Sequence, residues 1–310
     1  MPLPLGSGSA VGVVGVGAMG LAMLRRLRSL GVAVIAHDLD PTREVLARAV
    51  GAGTATSPLQ VASAGCSSLI VAVVDAGQTE AVLFGPKGAA AGLPAGAAVL
   101  LCPTLAPQET ECIAARLLAM GLEVLDAPMS GGPARAEAGT MSLMLAGSPQ
   151  TLQTQEPLLR ALAAHRFVVG ERIGDAARTK LVNNLLAAIH LAAAQEAMQL
   201  IAALGIDPVR TLEVIAASSG ASWIGLDRGR RALAGDRSVK ARVALLAKDS
   251  ALAATMAAPV GGLGPLGLAA VARFGDAVAR GWTDADDSVL LSRDSWEAGV
   301  AVPTQPATEP

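Results

Sequence analysis

The chain has 310 residues, and its 24 Lys+Arg nearly balance its 26 Asp+Glu, leaving a formal net charge of −2. That balance supplies no basic surplus to meet phosphate, so neither nucleic acid nor an anionic membrane surface is expected as a partner. Hydrophobic residues at 52% and charged residues at 16% exclude a disordered chain, and aromatics at 2% leave Ala, Val, Leu and Ile to build the core and little to stack bases on.

The first half alternates β-branched runs with Ala/Leu-rich helical stretches, the pattern of βαβ units around a parallel sheet. Strands are expected at Ala10–Val16, Val32–His37, Leu69–Val74, Ala97–Cys102, Glu123–Asp126, Met141–Ala146 and Arg166–Val169. Helices are expected at Met19–Leu30, Thr42–Ala49, Thr79–Leu83, Gln108–Met120 and Pro149–Ala164. After Gly170 the β-rich runs stop, and Lys180–Leu204, Asp207–Ala217 and Arg242–Met256 read as helices. The expected fold is α/β: a Rossmann-type doubly wound sheet over 1–172, then an all-helical domain over 173–300 with a long interdomain helix, then a frayed tail at 301–310.

Two uncharged stretches, Gly88–Gln108 and Ala251–Ala272, reach the length of a bilayer crossing, but Pro94, Pro103 and Pro107 interrupt the first. Pro259, Pro265 and four glycines between 261 and 267 interrupt the second, so no membrane span is expected. Residues 1–9 lack the basic start and apolar run of a signal peptide, and a cytoplasmic location is the expectation. Cys66, Cys102 and Cys112 form neither a disulfide framework nor a zinc pattern and are expected to be buried filler; no metal site is expected.

Gly15-Val16-Gly17-Ala18-Met19-Gly20 is a G-x-G-x-x-G placed after the first strand and opening the first helix. In that setting the glycines allow a tight turn, close approach of a pyrophosphate and close helix packing, while the helix N-terminus supplies amide donors. Asp38 ends the second strand 18 residues after Gly20, where a carboxylate can accept from an adenosine ribose. With Leu39 rather than Arg beside it, NAD is favoured over NADP as cofactor, although His37 and Arg43 lie near. Val74, at the end of the Leu69–Val74 strand, is a further expected cofactor contact. No P-loop motif occurs.

Lys180 and Asn184 are four apart on a predicted helix, hence on one face, with Asn183 beside them. A lysine among Leu, Val and Ala near a nucleotide cleft is the kind whose ammonium is desolvated, so that it can exchange a proton as a hydride moves. Ser130-Gly131-Gly132, after the strand ending at Asp126, offers a hydroxyl and two unencumbered amides at the carboxyl edge of the sheet, where such sheets bind ligands.

Asp126-Ala127-Pro128-Met129-Ser130-Gly131-Gly132 through Gly139-Thr140, Gly174 through Lys180-Leu181-Val182-Asn183-Asn184, and Leu246-Ala247-Lys248-Asp249 resemble the three further motifs of the β-hydroxyacid dehydrogenases, the family of 3-hydroxyisobutyrate and 6-phosphogluconate dehydrogenases. With the glycine loop, four motifs stand in order. The resemblance implies a carboxylate held by Ser130, Gly131 and Gly132, acid/base work by Lys180 with Asn184 orienting, and Lys248 closing over the nicotinamide. It implies a small hydroxy-acid substrate and homodimers or homotetramers, for which an Ala/Leu helical domain would supply an apolar face. Asn183 through Met198, with His190, and Ser222-Trp223 with Arg228, resemble the branch that includes L-threonate dehydrogenase, although Ala221 stands where that branch tends to have Asn. Two departures are Ala176 for the motif's second Gly and Pro103-Thr104 for Ser-Thr, where Thr104 is still expected to offer its hydroxyl to the nicotinamide. The competing readings are an imine or aldehyde-acid reductase on the same fold, and a non-catalytic NAD-binding protein. Imine reductases of this fold commonly lack the lysine, and an idle protein would have lost Lys180 or Asn184.

Overall fold

The computed structural model describes residues 10–292; the segment before Ala10 and the expected tail from Ala301 lie outside the described residues. Residues up to Asn183 form one compact unit and those from Asn184 onward a second.

The first unit runs β1 (Ala10–Val14), α1 (Ala18–Ser29), β2 (Val34–His37), α2 (Pro41–Ala49), β3 (Gly53–Thr54), α3 (Pro58–Ser63), β4 (Cys66–Val71) and α4 (Ala76–Phe84). It continues through β5 (Ala98–Leu101), α5 (Pro107–Ala119), β6 (Glu123–Asp126), β7 (Met129–Ser130), α6 (Gly132–Ala138), β8 (Met141–Ala146), α7 (Pro149–Leu162) and β9 (Ala163–Gly170). Strands β3-β2-β1-β4-β5-β6 lie side by side and parallel, and β8 joins β6 antiparallel, pairing in turn with β7 and β9. The central strands β1 and β5 are apolar along their whole length because both faces are covered, whereas the outer β9 exposes His165, Phe167 and Val168. Val11, Val13, Ile70, Leu100 and Leu125 pack on one side with Met23, Leu24 and Leu27 of α1. Val14, Leu69, Val71, Val99 and Val124, the alternate positions, pack on the other with Ile113 and Leu117 of α5.

Helix starts follow local chemistry. The side chains of Asp40, Ser57, Asp75 and Ser148 accept backbone N–H bonds at the heads of α2, α3, α4 and α7. The two-residue strands β3 and β7 and the short helices α3 and α6 carry too little periodicity to be read from sequence. Strand β4 occupies 66–71 rather than 69–74, which leaves Val74 exposed in the following turn. Cys66 and Cys102 are buried as expected, but Cys112 is exposed, because it lies on the outer side of α5.

An unbroken helix, α8 (Asp175–Ala203), carries the chain into the second unit, followed by α9 (Pro208–Ala216), α10 (Trp223–Leu233), α11 (Val243–Ala257) and α12 (Pro265–Ala279). Its core gathers Ala188, Leu191, Met198 and Ile201 of α8 with Ile224, Val243, Leu246 and Phe274. The glycines of α10 serve close packing: a Cβ at Gly225 would press on Ser222 and Ala194, and one at Gly229 on Leu212. Two buried ion pairs bind α10 to residues 286–287, with Arg228 Nε 2.5 Å from Asp287 and Arg231 Nη1 2.8 Å from Asp286. Asp286 also accepts from the backbone N–H of Lys240 and Ala241 at 2.7 and 3.0 Å, which fixes the approach to α11.

The stretch Ala251–Ala272 breaks at the turn between α11 and α12. Among the described residues, two helical segments, Asp175–Ala203 and Val243–Val260, are long and apolar enough to cross a membrane by length and composition alone. Ala188, Leu191, Met198 and Ile201 of the first and Val243 and Leu246 of the second form part of the helical core, and the segments carry Lys180 and Asn184, and Lys248 and Asp249, respectively.

Candidate active site

The glycine loop lies between β1 and α1. Gly15 has φ +95 and sits so close to Ala72 that a Cβ would collide with its carbonyl, so only glycine fits the turn. Gly20 packs against the Gly15 carbonyl, while the place of a Cβ at Gly17 is open for at least 4 Å. Helix α1 has no side-chain cap and no acidic residue in its first turn, so its leading amides keep a positive partial charge to offer an anion. An open approach at Gly17 over an uncapped helix start fits a dinucleotide pyrophosphate.

Asp38 stands at the end of β2, half-buried, and accepts from the N–H of Val16 at 2.6 Å and of Asp40 at 2.9 Å. The carboxylate is thereby held against the glycine loop. His37 is turned away from it, with Nδ1 2.9 Å from the Ala55 carbonyl and 3.2 Å from Glu44, and Arg43 lies 3.9 Å from Asp40. Among the expected cofactor residues, Gly15, Val16, Gly17, Ala18, Met19, Gly20 and Asp38 therefore form one cluster. Val74 donates its N–H to Gln78 at 3.1 Å, and Thr104 is half-buried just beyond β5.

The second group of the first unit forms at the end of β6. Ser130 is held by β7, paired with Ser142 of β8, and Gly131 and Gly132 follow with φ +126 and +73, angles that side-chain-bearing residues rarely adopt. This sharp turn leaves Ser130, Gly131 and Gly132 half-buried at the carboxyl edge of the sheet. Asp126, four residues earlier and 1% exposed, accepts from the N–H of Gly174 at 2.9 Å and of Ala177 at 3.0 Å. It thus caps α8 from another element. Burial pushes its carboxyl up to about 6 against the opposing pull of these N–H bonds. The neighbouring Cys102 thiol is pushed up to about 12 by burial and by the Asp126 charge. Lys180, a turn and a half into the capped helix, is 8% exposed, and Asn183 beside it is exposed.

In the second unit, Asn184 is buried and donates from Nδ2 to Asp249 Oδ2 at 2.5 Å. The Lys248 ammonium lies 2.7 Å from the other oxygen, Oδ1, so its charge is directed at Asp249. Trp223, 58% exposed, carries the Arg228 guanidinium 5.8 Å over its ring. His190 is half-buried on α8. Asp126 and Asp249 are the two site residues to which sequence reasoning gave no role. Each stands inside a recognised motif, but its partners lie 48 and 65 residues away, and only folding joins them. Among the described residues no cluster of His, Cys, Asp and Glu could hold a metal.

Residues 10–170 match the family described as the NAD binding domain of 6-phosphogluconate dehydrogenase, and residues 174–293 that described as the NAD-binding domain of NADP-dependent 3-hydroxyisobutyrate dehydrogenase. The chain is 38% identical to an L-threonate dehydrogenase of Cupriavidus necator over 91% of its own length and 94% of the relative's. It superposes with a TM-score of 0.85 on the crystal structure of 3-hydroxyisobutyrate dehydrogenase from Salmonella typhimurium, at 33% identity over 91% of this chain and 99% of that one. An imine reductase from Streptomyces aurantiacus, at 21% identity and TM-score 0.64, shares the fold alone. Two matched domains and a relative of equal span place the chain in the β-hydroxyacid dehydrogenase family, as an NAD(P)-dependent dehydrogenase.

Proposed function

We propose that the enzyme moves a hydride between a small polyhydroxylated acid of the threonate type and NAD, with Lys180 as general acid/base. The observation that carries the reading is a lysine buried one helical turn before a buried asparagine, on a helix whose start is anchored to the end of β6 by Asp126. A lysine so placed is shielded from bulk water and can pass a proton to or from a substrate oxygen held beside it.

When bound, the nicotinamide accepts the hydride in oxidation and returns it in reduction. Ser130, Gly131 and Gly132 hold the substrate carboxylate through a hydroxyl and backbone amides, and Asn183 contributes a further polar contact. Lys180 takes the hydroxyl proton as the carbonyl forms and gives it back in the reverse direction; Asn184 orients that exchange. Gly15 through Gly20 hold the pyrophosphate, with Thr104 and Val74 lining the cofactor and Lys248 on the nicotinamide side. Asp38 takes the ribose hydroxyls. Its nearest hydrogen bonds come from backbone amides rather than a cation, which supports NAD over a cofactor bearing a 2′-phosphate. The apolar side chains Leu186 and Leu200, exposed within about 40° of arc on α8 at 3.6 residues per turn, support assembly into a homo-oligomer.

The test is nicotinamide reduction with NAD⁺ and NADP⁺ over threonate, glycerate, 3-hydroxyisobutyrate and 3-hydroxypropionate, with Lys180→Ala as control. Turnover of threonate that disappears in the variant is expected. Reaction of a cyclic imine with reduced cofactor, and of none of the acids, would favour the imine-reductase reading.

A further inference from the structure

The Asn184–Asp249 contact fixes something that the presence of an asparagine on a catalytic helix does not. An amide offers a donor on one side and an acceptor on the other, and which side faces the reaction decides what it can do. Asp249 is 5% exposed, and Lys248 Nζ lies 2.7 Å from its Oδ1. Oδ1 itself lies among the buried side-chain atoms that have no hydrogen-bond partner, so the ammonium acts on it through charge rather than through an aligned bond. Paired with the Lys248 ammonium, the Asp249 carboxylate is the accepting side of its contacts. The atom 2.5 Å from Oδ2 must therefore be the amide nitrogen, and the orientation of Asn184 follows from chemistry.

We propose that Asp249 is a positioning residue for the reaction: it commits the Asn184 nitrogen to itself, so that Asn184 serves the reacting groups as a hydrogen-bond acceptor through its oxygen. The inference rests on the reading that Lys180 and Asn184 work on the substrate. An acceptor there suits a donor partner, either the substrate hydroxyl before its proton leaves or the Lys180 ammonium after the proton arrives. It does not suit a carboxylate or an alkoxide. Lys248 supplies a countercharge 2.7 Å from the buried Asp249, so the Lys-Asp pair of α11 acts as one unit.

The test is a cycle of four proteins: wild type, Asp249→Asn, Asn184→Asp, and the double substitution Asn184→Asp/Asp249→Asn. In Asp249→Asn the new amide can donate to the Asn184 oxygen, which turns the Asn184 nitrogen outward. The kcat/KM for the hydroxy acid is expected to fall by about tenfold, as for loss of a hydrogen bond to a charged group, with KM for the cofactor unchanged. Asn184→Asp alone places two carboxylates in contact and is expected to fall further. The double substitution restores donor to acceptor across the contact with polarity reversed. Its rate is expected to recover to within about threefold of wild type on the high-pH plateau, the signature of coupled neighbours. Its acid limb should move to higher pH, because a carboxylate one turn from Lys180 favours the ammonium.

Asp249→Asn within about twofold of wild type, or a double substitution no better than the worse single one, overturns the proposal. Melting temperatures of the same four proteins read the contact without turnover, and a double substitution that recovers none of the stability lost by the singles also overturns it. Lys180→Ala separates the two claims. If that variant keeps turning over while the cycle shows rescue, the acid/base reading fails and the positioning of Asn184 stands; if it is inactive and the cycle shows no rescue, the reverse holds.

Discussion

Asp126 offers a sharp test of how the first unit is held together. Its carboxyl is buried at the end of β6 and pushed up to about 6, since burial outweighs the N–H bonds from Ala177 and Gly174. Below about pH 4 the folded and unfolded chains both carry this proton. Between about pH 4 and 6 the folded chain keeps it while the unfolded chain has lost it, so the Asp126 contribution makes stability fall as pH rises; above about pH 6 the loss is complete and level. A gap of about two units corresponds to at most about 3 kcal/mol. Asp126→Asn removes the charge but keeps an oxygen that can accept both N–H groups, now bonded to a single oxygen, Oδ2. The variant is expected to match or exceed wild-type stability above pH 6 and to fall behind it toward pH 4. Asp126→Ala leaves the Gly174 and Ala177 amides without that acceptor and is expected to be about 1–3 kcal/mol less stable than Asp126→Asn at any pH. Urea unfolding of the three proteins from pH 4 to 8 reads this directly. The difference between wild type and Asp126→Asn isolates the one carboxyl, because the other acidic groups are common to both. If that difference does not change between pH 4 and 6, burial does not govern Asp126 and the reasoning fails.

Lys180→Ala should lower kcat by at least about a hundredfold while leaving reduced-cofactor binding, followed by fluorescence, within about twofold of wild type, as for loss of a general base; a comparable loss of cofactor affinity would show that Lys180 serves binding instead. Asp286→Ala should cost about 3–5 kcal/mol in denaturant unfolding, because it strips a buried partner from Arg231 and an acceptor from Lys240 and Ala241. Burial pushes the Asp286 carboxyl up, but N–H bonds from Ala241, Ser288 and Lys240 outweigh it and hold it near about 2, so its contribution is present above about pH 4 and is lost as pH falls toward 2. A wild-type preference for NAD⁺ over NADP⁺ should collapse in Asp38→Ala, measured as the ratio of kcat/KM values, and an unchanged ratio would remove Asp38 from cofactor choice. Light scattering at micromolar concentration should give a multiple of the 31.0 kDa chain mass, and Leu186→Glu/Leu200→Glu should reduce it to one.

Much of the first unit is legible because its signals are local. Strands covered on both faces read as unbroken β-branched runs, and β6 and β8 fall on the residues that their sequence indicates. The glycine loop is legible for the same reason: the turn at Gly15 and the contact of Gly20 with it are made within six residues. Helix α8 extends five residues further toward its N-terminus than the Lys180–Leu204 pattern suggests. Gly174 and Ala177 are recruited by Asp126, a partner that the local pattern does not contain.

The helices α10 and α12 are hidden by their glycines. Propensity reads Gly225, Gly229, Gly267 and Gly275 as breakers, whereas at Gly225 and Gly229 packing against Ala194 and Leu212 requires the missing side chain. Composition, periodicity and four short motifs thus determined the sheet, the long helix and the family, since each depends on neighbours close in the chain. Only the tertiary structure decided which carboxylates serve them. Asp126 on α8 and Asp249 on Asn184 are long-range pairings made in the dry interior, where an ionised group must find its donors.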